Sequence, residues 1–333
     1  MTQQHKLFIN IATCFAFSTV GDYLINKHKE VETDIKRGNT DKLPELHALA
    51  SCLKAVSTSD VAAGVEKCRL ACGGHGYMLS SNLPMIYALS TAMSTYEGEH
   101  TVMLLQTARY LIKVWDHVEL RNWKALTPTV AYLAEAYKNG KTKWENTPEG
   151  IVRGFQAVAA GKLAACAASI KDHVKTGISY EDAWAQTTVQ LVGAAEAHCR
   201  AFIMRSYWSE TKRVATTISP NLRTVLNELA ELYLIYWTIE KTGDLLLFSS
   251  LSGKDVSTLQ KRYEQLLTLI RPNAVAIVDA FDFRDELISS TLGSYDGRVY
   301  ERLMEEAMKS PLNAEPVNQS FHKYLKPFMQ GKL

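Results

Sequence analysis

The sequence predicts an all-α protein built from two helical bundle domains. Three observations carry that reading. Apolar residues recur at steps of three and four through the long segments, the spacing of one helix face. Alternating apolar and polar runs of strand length are absent. Residues that stop helices gather in one stretch, between about Trp115 and Glu149. A chain of 333 residues, 47% hydrophobic and 22% charged, is long enough for two cores and too apolar to be disordered.

The elements follow in order. Leu7 to Val20 is apolar but interrupted by Asn10, Thr13 and Ser18. It lacks a small-residue cleavage site and is too short for a bilayer, so neither a signal peptide nor a membrane span is expected. Leu46, Leu49, Leu53 and Val56 mark the buried face of a helix beginning near Leu43. Met93 to Tyr110 carries Val102, Leu104 and Leu105 on a similar stripe. The break holds Pro128, Asn139-Gly140 and Thr147-Pro148, where glycine permits positive φ and proline biases its predecessor out of the helix. It separates a bundle over 1–115 from a second over 150–333, with 116–149 as linker.

In the second bundle, Ser179 reads as an N-cap followed by the first-turn acids Glu181 and Asp182. Trp184, Leu191, Val192, Ala195, Cys199, Phe202 and Ile203 keep helical period after it. Leu222 to Tyr236 and Val256 to Ile270 repeat the pattern. Arg271 should end one helix, with Pro272 starting the next at its first position.

Composition excludes several functions. With 37 Lys and Arg against 35 Asp and Glu, the net charge is +2, so no basic excess exists to neutralise a nucleic-acid backbone. The six cysteines have no paired zinc spacing. Cys68 and Cys72 lie four residues apart on one helix face, as small buried residues do. His75 and His100 have no metal-like partner spacing, so no metal site is expected.

Two short stretches could carry chemistry. Cys72-Gly73-Gly74-His75-Gly76-Tyr77 has three glycines in four residues, which cannot be a helix interior at about 1 kcal/mol each against alanine. Such a loop lets backbone approach a ligand closely; the plain alternative is a helix C-cap and turn. Tyr96-Glu97-Gly98-Glu99-His100 places a carboxylate beside glycine at the start of an amphipathic helix. Glu97 could serve as a base, or simply complement the helix dipole.

Together these stretches resemble the peroxisomal acyl-CoA oxidases. Cys68–Tyr77, Leu83-Pro84, Tyr87, Tyr96–Arg109 and Pro44–Ala48 carry the likeness in the first part. Leu266–Arg271, Ala274–Phe283, Leu292–Gly297 and Ser310–Asn313 carry it in the second. It covers nearly the whole chain and is weakest between 115 and 150.

The resemblance implies FAD as cofactor, fatty acyl-CoA and O2 as substrates, and desaturation between Cα and Cβ with release of H2O2. The family's aromatic-Glu-Gly motif falls on Tyr96-Glu97-Gly98, which makes Glu97 the expected base for the α-proton. Gly73, Gly74, His75, Gly76, Gln4 and Gly98 are the expected flavin-facing positions. The FAD is held mainly by a partner subunit, so a homodimer, or pairing with a full-length oxidase, is expected. The tail Gly331-Lys332-Leu333 is close to the tripeptide read by the peroxisomal import receptor, which implies the peroxisomal matrix.

The family's N-terminal helical and β-barrel-like domains are not in this sequence. Two alternatives therefore stand beside the oxidase. One is a non-catalytic dimerisation module; the other is an acyl-CoA dehydrogenase, against which the second bundle and the tail argue.

Overall fold

The computed structural model describes residues 1–140 and 142–331. Lys332 and Leu333 of the expected import tail lie outside the described residues. The helices are α1 (Thr2–Lys36), α2 (Leu43–Ala71), α3 (Leu83–Ala92), α4 (His100–Glu119), α5 (Tyr132–Asn139), α6 (Pro148–Lys175) and α7 (Tyr180–Val214). They continue with α8 (Pro220–Glu240), α9 (Thr242–Phe248), α10 (Gly253–Ile270), α11 (Ala274–Asp279), α12 (Asp285–Ile288), α13 (Val299–Met308) and α14 (Lys326–Met329). The protein is all-α, as the spacing predicts. Among the described residues the one β-type pairing is an isolated bridge between Thr142 and Ser249.

The chain forms two compact units, Met1–Gly64 with Ser90–Ala280, and Val65–Leu89 with the chain from Phe281 on. The first is a bundle centred on the antiparallel pair α6 and α7, with α1, α4, α8 and α10 packed around it. The predicted stripe of α2, Leu46, Leu49, Leu53 and Val56, is buried. So are Leu191, Ala195, Cys199, Phe202 and Ile203 of α7 and Leu259, Tyr263, Leu266, Leu267 and Ile270 of α10. Each such large apolar side chain contributes about 1.5–3 kcal/mol on burial.

Helix ends are chemically marked. Thr147 caps α6 by accepting from Gly150 N at 3.1 Å, with Pro148 at the first turn, so the Thr-Pro pair starts a helix rather than merely breaking one. Ser179 caps α7 as expected, accepting from Asp182 N at 3.1 Å. Ser252 and Asp255 form a capping box at α10. The expectation for Pro272 needs correction. Arg271–Asn273 is a single 3-10 turn, and the next helix begins at Ala274.

The buried charges at the centre of the first unit are paired. Arg200, on α7, donates through both terminal nitrogens to Asp60 of α2 at 2.9 Å and through Nε to Glu196 at 3.0 Å. Its guanidinium carbon lies 3.5 Å from the centroid of the Trp237 ring. His198 is hydrogen-bonded through Nδ1 to Tyr132 Oη at 2.9 Å, and burial pushes its imidazole down to about 4. Helices α1 and α6 are long and apolar enough to cross a membrane by length and composition. Both instead supply buried positions to this core, α6 through most of its length.

The second unit joins two segments distant in sequence by hydrogen bonds. The amide and hydroxyl of Thr291 both donate to the Ser80 carbonyl at 2.9 Å, and Asn82 Nδ2 donates to the Ile288 carbonyl at 2.8 Å. Few of its apolar side chains are buried.

Candidate functional site

Gln4, Glu97 and Gly98 belong to the first unit and Gly73–Gly76 to the second. After α3 the chain turns, with amides of Ser94, Thr95 and Tyr96 donating back to Thr91 and Ala92. It then passes through two successive left-handed residues, Glu97 at φ +58° and Gly98 at φ +108°. A non-glycine residue there costs about 1–2 kcal/mol, so surrounding contacts must hold it. Gly98 tolerates its φ because it has no Cβ; one added would stand 2.3 Å from Met103 Sδ.

Contacts fix the chain on the far side of Glu97. Lys54 Nζ donates to the Gly98 carbonyl, a short charge-assisted bond from α2. Glu99 is the N-cap of α4, accepting from Thr101 N at 2.9 Å and Val102 N at 3.3 Å. These N–H groups, Thr101 first, hold its carboxyl below the usual carboxylate range. His100 Nδ1 donates to the Ala55 carbonyl at 3.0 Å, which makes it structural. The helix-dipole alternative therefore belongs to Glu99, while Glu97 precedes the helix and is exposed. Lys54 was not singled out by the sequence. A lysine 44 residues away carries no local signal.

The glycine stretch is a 3-10 turn, Gly73–Gly76, closing α2. Gly73, at φ +59°, follows the helix end as C-cap glycines do. Gly76 is demanded by packing, since a Cβ there would lie 1.9 Å from the Arg69 carbonyl oxygen. Gly74 has neither constraint. A Cβ on Gly73 or Gly74 would meet nothing within 4 Å, and His75 is exposed beside them. Both the capping reading and the close-approach reading thus have residues behind them.

Gln4 adds an orphan. Its Oε1 is buried without a hydrogen-bond partner among the described residues, an acceptor waiting for a donor. A flavin ring presents an N–H donor of the kind this oxygen lacks; in the second unit, the open backbone at Gly73-Gly74 by itself leaves space for a ring to approach. No cluster able to hold a metal exists among the described residues. A cavity of about 830 Å³ between α1, α7 and α8 is lined by none of these residues.

A family model described as acyl-CoA oxidase matches residues 147–330, and one for the acyl-CoA oxidase C-alpha1 domain matches residues 1–112. The chain belongs to the acyl-CoA oxidase family. Acyl-coenzyme A oxidase 1 of Drosophila melanogaster is 46% identical over 333 residues, all of this chain and 50% of that one. Peroxisomal acyl-coenzyme A oxidase 1 of Rattus norvegicus is 43% identical over 342 residues, covering 100% of this chain and 51% of the rat protein. Acyl-CoA oxidase-2 of Caenorhabditis elegans, solved with FAD, ascaroside-CoA and ATP, superposes with a TM-score of 0.92 at 34% identity. That match covers 99% of this chain and 49% of the other. This oxidase-family chain therefore spans about half the length of the relatives it matches, and corresponds to their C-terminal half.

Proposed function

We propose that this chain supplies the catalytic base and part of the flavin wall of an FAD-dependent acyl-CoA oxidase acting on fatty acyl-CoA in the peroxisomal matrix. The observation that carries the reading is the loop at Glu97. An exposed carboxylate sits on a left-handed residue, with a clamped carbonyl and a helix cap immediately after it. Strain held by neighbouring contacts is typical of functional positions.

FAD, when bound, supplies the acceptor for the β-hydrogen and passes the electrons to O2, giving H2O2. The residues of this chain do the rest of what is assigned to them. Glu97 takes the α-proton of the thioester, a weak acid that needs a placed base. The assigned flavin-facing positions are Gln4, Gly73, Gly74, His75, Gly76 and Gly98; Gln4 Oε1 is supported by its free acceptor, and Gly73 and Gly74 by their open backbone. The two family modules are residues 1–115 and 150–333, joined by 116–149. The relatives named peroxisomal and the Gly331-Lys332-Leu333 tail support the compartment.

The test is peroxide formation from a fatty acyl-CoA by an oxidase carrying this half. Glu97→Gln keeps the shape but cannot accept the proton, and turnover should fall about 10²–10⁴-fold. Glu99→Gln should instead weaken the cap of α4 by about 1 kcal/mol with turnover per folded molecule retained. Near-normal turnover in the Glu97 variant would sink the assignment.

The second reading is a helical module without turnover of its own, paired with a second copy or with a full-length oxidase. The exposed Tyr77, Leu79 and Leu89 favour it, since such side chains commonly meet a partner. Purified chain that forms peroxide unaided would exclude it.

A further inference from the structure

We propose that Lys54 is the positioning residue for Glu97. The inference rests on the proposed role of Glu97 as base and concerns how that carboxylate is held.

The chain on either side of Glu97 is fixed by unequal means. Upstream, the turn after α3 uses ordinary backbone bonds, Ser94 N to Thr91 O at 3.1 Å and Thr95 N to Ala92 O at 2.9 Å. Downstream stands Gly98, whose missing Cβ leaves its backbone the freest in the loop. A glycine directly after the base would let the carboxylate wander unless something else held its peptide. Lys54 does so, because its ammonium donates to the Gly98 carbonyl. That charge-assisted bond is stronger than the neutral bonds upstream.

Lys54 is well placed for the task. It sits within the buried stretch of α2, between Leu53 and Ala55, and its own side chain is half-buried. The next residue, Ala55, accepts from His100 Nδ1, and Ala48 two turns earlier accepts from Thr107 Oγ1 at 2.9 Å. Three side-chain bonds thus tie one face of α2 to the loop and the first turns of α4. Only the Lys54 bond reaches the residue beside Glu97. Its loss should free the Gly98 peptide and, through it, the Glu99 cap that holds Thr101 N and Val102 N.

The experiment reads the loop and the chemistry separately. In the 333-residue chain, amide hydrogen exchange is compared for the natural protein, Lys54→Met and Lys54→Arg. Lys54→Met keeps the bulk and removes the donor. Thr101 and Val102 should exchange about tenfold faster or more, with α6 and α7 unchanged, and Lys54→Arg should restore most of the protection. In the assembled oxidase, Lys54→Met should lower kcat about 10- to 100-fold with KM for acyl-CoA little changed, and Lys54→Arg should recover much of it.

Unchanged exchange in Lys54→Met would overturn the clamp. Faster exchange with unchanged kcat would overturn the positioning role. If Lys54→Met also loosens α6 and α7 and raises KM, the lysine is merely structural and the proposal fails. Glu97→Gln run beside it keeps the two readings apart. Full activity there ends the base assignment whatever Lys54 does, whereas a dead Glu97 variant beside an active Lys54→Met ends only the present proposal.

Discussion

In the first unit Leu49, Leu111, Leu191, Leu229 and Tyr233 are at most 1% exposed, whereas in the second Tyr77, Leu79, Leu287, Tyr295 and Tyr300 are between 66% and 85% exposed. Both units draw on the same kinds of residue, so hydrophobicity alone does not separate them. What differs is where the apolar surface goes. The first unit buries it between its own helices, in an interior closed by polar pairs such as Arg200 with Asp60. The second is joined through hydrogen bonds at Thr291 and Asn82 and leaves large side chains outside. Patches of that kind are characteristic of surfaces that meet another chain or domain. The proposed assembly of this half with the remainder of an oxidase gives those side chains a destination.

The contrast can be broken most forcefully at Arg200. Arg200→Met removes the guanidinium but leaves the Asp60 carboxylate, whose side chain is only 11% exposed. A buried charge without its partner typically costs about 3–5 kcal/mol. Denaturant titration followed by tryptophan fluorescence should show that loss, since Trp237 lies against the same guanidinium.

Acid offers a second probe of the closed interior. His198 is buried and its imidazole is lowered from 6.5 to about 4. Between those values the unfolded chain binds a proton that the folded one does not. The stabilisation is therefore present above pH 6.5 and is lost as pH falls towards 4, in total by roughly 3 kcal/mol. Unfolding free energies measured across that range should show the slope, and His198→Gln should flatten it.

The smallest effect is expected where the surface is already wet. Leu79→Ser or Tyr295→Ser should change the stability of this chain by less than about 0.5 kcal/mol in thermal or denaturant unfolding. A loss of 2 kcal/mol or more at either position would show that the second unit depends on side chains its exposure makes look dispensable.

Much of the fold was legible because large apolar residues mark a helix face. The stripe of α2 is buried where the spacing puts it, and so are most positions of the α7 and α10 stripes, with Trp184, Val192 and Val256 partly buried at their margins. Helix α6 is not marked by such a stripe, and its start at Pro148 lies inside the run of helix-stopping residues. Its buried positions include Gly154, Ala157, Ala159, Ala160 and Ala167, small residues that give little periodic contrast. The site was legible in part. Glu97-Gly98-Glu99 showed an acid beside a glycine, yet two glutamates flank that glycine and spacing alone cannot tell which one caps the helix. The left-handed backbone at 97 and 98 decides it, and a sequence does not display φ. Lys54 was invisible for a different reason, because its bond joins segments 44 residues apart.

The place of α1 has a consequence in time. Its buried face, Phe8, Ile9, Ala12, Ala16 and Val20, packs on α7, α8 and α10, all encoded far downstream. At about 5–20 residues per second, synthesis takes on the order of ten seconds or more to deliver those partners after α1 is made. Over that interval the apolar face of α1 lacks the helices that bury it in the finished bundle, so its protection is decided by the order in which segments of this chain are made.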